Sequence, residues 1–172
     1  RLTRELGESI IAQAAEFAIA LGGDTPVSVN ISVSHFIHPS FIEFVHRTLE
    51  RHGLAPNSLI IEITESEDAA SPTDAWRVAR QLEQMGVGLS IDDFGTGYAS
   101  LERILRFPCS QLKLDRSIAA NIAGTGLEHL LAGFGTMSAV SGLEIVAEGI
   151  EDEVQHDLLV SLGIPLAQGY LY

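Results

Sequence analysis

The stretch with the most chemical potential is Leu89-Ser-Ile-Asp-Asp-Phe-Gly-Thr-Gly-Tyr98. A short apolar run ends in two adjacent carboxylates, Asp92 and Asp93, and passes at once into a Gly95-Thr-Gly97 turn. Successive side chains of a strand point to opposite faces, so a regular strand sends only one of the pair inward. At the strand's end, where the backbone turns, both reach the same mouth. Carboxylates that close repel each other unless a proton or cation intervenes. Hard divalent cations are the usual occupants of such oxygen-rich corners. Taken alone, the pattern also fits a strand end followed by an Asp-rich turn.

The elements around this stretch must position it. Helical periodicity covers residues 4–21, 39–52, 73–85, 98–106, 127–141 and 151–162, and Gly or Pro follows within two residues of most of these segments. Strands are expected at 26–32, 58–64, 88–92, 111–115, 142–148 and 166–172. Their composition suggests burial on both faces, which with the alternation of strand and helix predicts a parallel α/β sheet. Right-handed crossovers then align the C-terminal ends of all strands on one side. The last polar residues of the strands are Asn30, Glu62, Asp92 with Asp93, Lys113, Glu148 and Gln168, at steps of 32, 30, 21, 35 and 20 residues. Each step is about one βα unit, and in a (β/α)8 barrel that end carries the active site.

Glu62, Asp92, Asp93 and Glu148 would put four carboxylates in one mouth, which is costly without compensation. Two divalent ions would neutralise them, and a ligand set of oxygens without Cys or His points to Mg2+ or Mn2+. Two such ions about 3.5–4 Å apart form the clamp used for in-line displacement at phosphorus. Lys113, beside them, would orient or deprotonate the attacking water, or stabilise developing charge.

The chain has 172 residues, 46% of them hydrophobic, with no apolar run of membrane-spanning length, and it reads as one soluble domain. A net charge of −13 argues against binding duplex nucleic acid through its backbone. A small phosphate ligand remains compatible if metal ions invert the local field. The single cysteine, Cys109, excludes an internal disulfide, fits a reducing, cytoplasmic setting, and reads as a buried small side chain. The chain starts at Arg1 without an initiator Met, as a piece of a longer protein would.

Several segments resemble one family. Asp92-Asp-Phe-Gly-Thr-Gly-Tyr98 is similar to the DDFGTGY signature of EAL-domain cyclic-di-GMP phosphodiesterases. Val27-Ser-Val-Asn-Ile-Ser32 resembles the family's SVNLS strand, Ile61-Glu-Ile-Thr-Glu-Ser66 its ELTES segment, and Leu112-Lys-Leu-Asp-Arg-Ser117 its LKIDRS segment. Val146-Ala-Glu-Gly-Ile-Glu151 resembles VAEGVE, and Gln168-Gly-Tyr170 the QGY near the family's C-terminus. The resemblance implies an EAL-type modified TIM (β/α)8 barrel, with about six βα units visible here, and hydrolysis of c-di-GMP to linear pGpG with Mg2+ or Mn2+. It implies Asn30, Glu62, Asp92 and Glu148 as metal ligands, with Asp93 holding metal or its water. Lys113 would contact the catalytic water as base or helper, and Glu148 and Asp93 would share in the catalysis. Gln168 and Glu151 would support the substrate. Glu65 would anchor the loop at about 94–100, which in the family couples metal binding to dimerisation. A homodimer, and fusion to upstream sensory or diguanylate-cyclase domains in a parent that can be membrane-tethered, are further family expectations.

The Glu-Ala-Leu signature and the family's terminal Ser-Lys-Pro region are absent, so residues 1–172 read as a single EAL domain truncated or unseen at both ends. Val33-Ser-His35 replaces the usual Ala-Arg-Gln, and Asp152 stands where Thr is common. The rival function is a degenerate EAL domain that binds c-di-GMP without cleaving it, or that serves only as a protein-interaction module. Asp93-Phe-Gly95 copies a kinase metal motif without its companion loops. His35 and His38 are spaced too closely for a helical zinc pair and read as loop or surface residues.

Overall fold

The computed structural model describes residues 2–64, 72–96, 106–120 and 126–172. Along the chain run α1 (Leu2–Ala20), β1 (Val27–Asn30), α2 (Val33–Phe36), α3 (Phe41–His52), a 3-10 turn (Pro56–Ser58), β2 (Leu59–Thr64) and α4 (Pro72–Met85). There follow β3 (Gly88–Phe94), β4 (Gln111–Leu114), α5 (Arg116–Ala120), α6 (Leu127–Ser141), β5 (Glu144–Ala147), α7 (Glu153–Ser161) and β6 (Leu166–Ala167). The expected helices at 4–21, 39–52, 73–85, 127–141 and 151–162 are present with ends within two residues. Of the helix expected at 98–106, only Arg106 falls among the described residues. Helices α2 and α5 are too short for apolar periodicity to announce.

The six strands form one parallel sheet in sequential order, β1 to β6. A doubly wound sheet reverses its strand order and places helices on both faces. Unreversed order with crossovers of one hand keeps the helices on one side, so this sheet is an open segment of a (β/α) barrel.

The central strands are largely buried on both faces, as expected, but the two faces differ in chemistry. In register, Val29, Ile61 and Leu89, and one pleat further on Ile91, Leu112 and Ile145, occupy the helix side and are buried. The intervening residues Asn30, Glu62, Ser90, Gln111 and Glu144 form a polar row on the other side. The period of two was present in the sequence, but Ile60 and Val146, apolar residues on the polar side, interrupt it. Ile61 and Leu112 are fully buried, and truncating either to Ala would cost about 2–5 kcal/mol.

Helix α1 packs through Ile11, Ala14, Ala15 and Ala18, while Leu6, Ile10, Phe17 and Leu21 of the same expected stripe stay exposed. The stripe is wider than the surface it meets, because β1 is an edge strand paired only with β2 among the described residues. Strand β6 is far shorter than expected. After Ala167 the chain turns back, so that the Ile150 N–H donates to the Gln168 carbonyl and the Leu171 N–H to the Ile150 carbonyl, each at 3.1 Å.

His35 is a second correction. It lies on α2 and is only 3% exposed, packed edge-on to Phe41 at 5.2 Å between ring centroids and against Gly7 of α1. The requirement to bury the α1–α2 contact, which spacing along the chain cannot reveal, draws it inward. Asp152 proves conservative. It caps α7, its carboxylate accepting from the Gln155 N–H at 2.8 Å, a role that Thr also fills.

Candidate metal and phosphodiester site

The site begins with an irregularity in β3. Ile91 pairs with Leu112 and Phe94 with Leu114, so between those pairs β3 has two residues, Asp92 and Asp93, and β4 has one, Lys113. This is a bulge, which re-aims side chains at a strand's end. Asp93 takes φ 56°, a left-handed conformation that Asp tolerates better than most residues. Its N–H donates to Asp92 Oδ1 at 3.0 Å. Phe94 returns to the helix side and meets Phe134 of α6 edge-on at 5.7 Å. The extra residue therefore lets two consecutive carboxylates share the mouth without displacing the core.

Asp92, Asp93 and Glu148 each offer a carboxylate oxygen within 4.8 Å of the others. Lys113 stands among the acids. Its Nζ lies 2.6 Å from Glu148 Oε1, 3.2 Å from Glu62 Oε2 and 3.2 Å from Asp92 Oδ1. Three carboxylates thus converge on one ammonium, with Asp93 beside two of them. Burial works to lower the Lys113 pKa, but the hydrogen bond to Glu148 and the charges of Glu62, Glu148 and Asp92 overcome it, and the pKa is raised. The Glu148 carboxyl is itself held above its usual range by burial, with Asp92 and Asp93 adding to the rise and Lys113 opposing it. A cluster with excess negative charge and only oxygen donors suits a hard divalent cation, and the residues present fit Mg2+ or Mn2+.

Other expected site residues stand nearby with less contact. Asn30 pairs in register with Glu62 on the same face and is exposed. Gln168 follows β6, its N–H donating to the Ala147 carbonyl at 2.9 Å beside Glu148, and its side chain is exposed. Glu151 is exposed, and its N–H donates to Gln155 Oε1 at 2.9 Å. Glu65 and positions 97–100 of the expected loop lie outside the described residues.

Sequence reasoning missed the row beneath the mouth. Ser90, fully buried, donates to Gln111 Oε1 at 3.1 Å, and Gln111 Nε2 donates to Glu144 Oε2 at 3.2 Å. These residues sit two before Asp92, two before Lys113 and four before Glu148. Counting by twos backwards from the site would have found them.

The EAL domain family profile matches residues 1–172. The chain is 37% identical over 172 residues to MucR of Pseudomonas aeruginosa, a bifunctional diguanylate cyclase/cyclic di-GMP phosphodiesterase, covering 97% of this chain and 25% of that protein. It is 33% identical over 153 residues to the cyclic di-GMP phosphodiesterase RocR of the same organism, covering 88% of this chain and 39% of RocR. The chain therefore spans a quarter to two-fifths of these relatives. Among solved structures, the MucR phosphodiesterase in complex with c-di-GMP superposes with a TM-score of 0.89 at 36% identity, over 99% of this chain and 76% of that one. A Klebsiella pneumoniae BlrP1 complex with manganese and cyclic di-GMP gives 0.88 at 29% identity, over 98% and 44%. With the sheet, the bulged Asp pair and the acid cluster in place, these likenesses assign the chain to the EAL domain family.

Proposed function

We propose that this chain is the catalytic portion of a metal-dependent phosphodiesterase that hydrolyses c-di-GMP to linear pGpG. The observation that carries the reading is the gathering of Glu62, Asp92 and Glu148 around Lys113, with Asp93 within reach of Asp92 and Glu148, at the C-terminal ends of β2 to β5. The relatives' names and the c-di-GMP and manganese complexes supply the substrate and the ion.

In this reading Asp92, Asp93 and Glu148 hold Mg2+ or Mn2+, with Glu62 and Asn30 completing the ligand set from β2 and β1. Bound divalent ions supply an activated water at neutral pH and charge neutralisation at the phosphoryl oxygens. Lys113, standing among these carboxylates, would contact the catalytic water as its base or helper, or stabilise charge on a phosphoryl oxygen. Glu148, and Asp93 beside it, would share in the catalysis by holding the ion and the water it carries. Gln168 and Glu151, on the exposed rim beside Glu148, orient the dinucleotide.

The test is c-di-GMP turnover with Mg2+ and with Mn2+, comparing the full natural chain with Glu62→Ala. Formation of pGpG, and a loss of two to three orders of magnitude in the variant, is the expected result. A folded protein that binds c-di-GMP and never cleaves it would instead be a receptor.

A further inference from the structure

Strand β4 carries Lys113 and runs through Asp115 directly into α5. The turns that follow the carboxylates on both neighbouring strands rest on this short helix. Gly149, immediately after Glu148, lies so close to α5 that a Cβ on it would overlap Arg116 Cβ and come within 3.2 Å of Arg116 Cα. Gly95, two residues after Asp93, faces Ile118, where a Cβ would stand 2.6 Å from Ile118 Cδ1. Backbone bonds tie both turns to β4 at the same level. The Asp115 N–H donates to the Phe94 carbonyl at 3.1 Å, and the Glu148 N–H to the Leu114 carbonyl at 3.0 Å. The start of α5 is fixed by Asp115, whose carboxylate accepts from the Ser117 N–H at 2.9 Å and from the Ser117 hydroxyl.

We propose that α5 is a spacer that sets the gap between the Asp92–Asp93 pair and Glu148, with Arg116 and Ile118 as positioning residues for the metal cluster. The proposal rests on the metal reading of that cluster. Three carboxylates can share an ion only if their strand ends are held at one separation, and left to repulsion they would spread. Each glycine lets its turn approach α5, and the side chain opposite sets the limit of the approach. The two contacts differ in stiffness. Arg116 meets Gly149 with Cβ and backbone, whereas Ile118 meets Gly95 with the end of a flexible side chain. The Glu148 side is therefore the tightly gauged one.

Gly149 has φ 69°, so an Ala there is strained whatever its neighbours, and the test must separate strain from contact. In the full natural chain, Mn2+ affinity is measured by titration calorimetry beside the thermal unfolding midpoint. Gly149→Ala is expected to raise the Mn2+ Kd at least tenfold. The double variant Arg116→Gly, Gly149→Ala keeps the strained backbone but removes the overlapping Cβ, and is expected to recover most of that loss. Ile118→Ala is expected to raise the Kd several-fold. Val45→Ala, a cavity in the buried face of α3, lowers the midpoint and leaves the Kd unchanged.

A native Kd in Gly149→Ala, or no recovery in the double variant, overturns the spacer. Should Gly149→Ala fail to fold, Ile118→Ala decides by the same criterion, and a Kd equal to the native one overturns it. If the native chain binds no Mn2+, the metal reading itself is wrong and the spacer goes with it, an outcome distinct from native binding that the variants leave untouched.

Discussion

Lys113 Nζ lies 2.6 Å from Glu148 Oε1, the shortest of the three contacts this ammonium makes with carboxylates. It is the side chain that keeps the acid cluster together electrostatically. Removing it should leave buried carboxylates unpaired, which costs about 3–5 kcal/mol where a buried pair is broken. Lys113→Met is accordingly expected to lower the unfolding midpoint without divalent ion. A ligand that binds only the folded state stabilises in proportion to its affinity. Added Mn2+ should therefore raise the midpoint more in Lys113→Met than in the native chain, because the carboxylates lose their internal counter-ion. Thermal scans with and without Mn2+ check this, and an equal rise in both proteins would count against the cluster as a cation site.

Asp93 combines a proposed metal-binding side chain with an unfavourable backbone conformation at φ 56°. Gly is free of the left-handed penalty, which for other residues is about 1–2 kcal/mol. Asp93→Gly should therefore be more stable to urea than Asp93→Ala by about 1 kcal/mol. Both variants should lose metal-dependent turnover, since both lack the carboxylate. Equal stability of the two would mean that the bulge relaxes without strain.

His35 makes stability pH-dependent. Burial lowers its pKa below the ordinary 6.5, with Arg4 and His38 adding to the fall and Glu8 opposing it. Above 6.5 neither folded nor unfolded His35 carries the extra proton, and this group contributes no pH dependence. Below 6.5 the unfolded chain takes up the proton first, so stability falls by at most about 1.4 kcal/mol per pH unit until the folded pKa is reached. His35→Leu should abolish that part of the slope. Urea midpoints between pH 8 and 5 provide the measurement, and an unchanged slope in the variant would assign the dependence to other groups.

Cys109 should be inert while the chain is folded. Burial pushes its thiol up to about 11, far above the working pH. Iodoacetamide at pH 8 is expected to label it slowly in buffer and at least tenfold faster in urea. Rapid labelling of the native chain would show that the segment opens.

The local patterns of the chain determined its fold class and most members of the acid cluster. Helix and strand periods located the elements, and the spacing of Glu62, Asp92, Lys113 and Glu148 by whole βα units announced a shared mouth, because parallel strands with crossovers of one hand align their C-terminal ends. What no local pattern contains is the packing between elements distant in sequence. The bulge that sets Asp92 and Asp93 together opposite Lys113 is a property of the β3–β4 register. The burial of His35 depends on where α1 crosses α2, and the shortness of β6 on a turn that closes over Ile150. The contact of Gly149 with Arg116 likewise appears only when two strand ends meet. The sequence chose which groups converge, through periodicities that act within a few residues. The tertiary structure decided their separations, because those depend on the register and close packing of neighbouring strands.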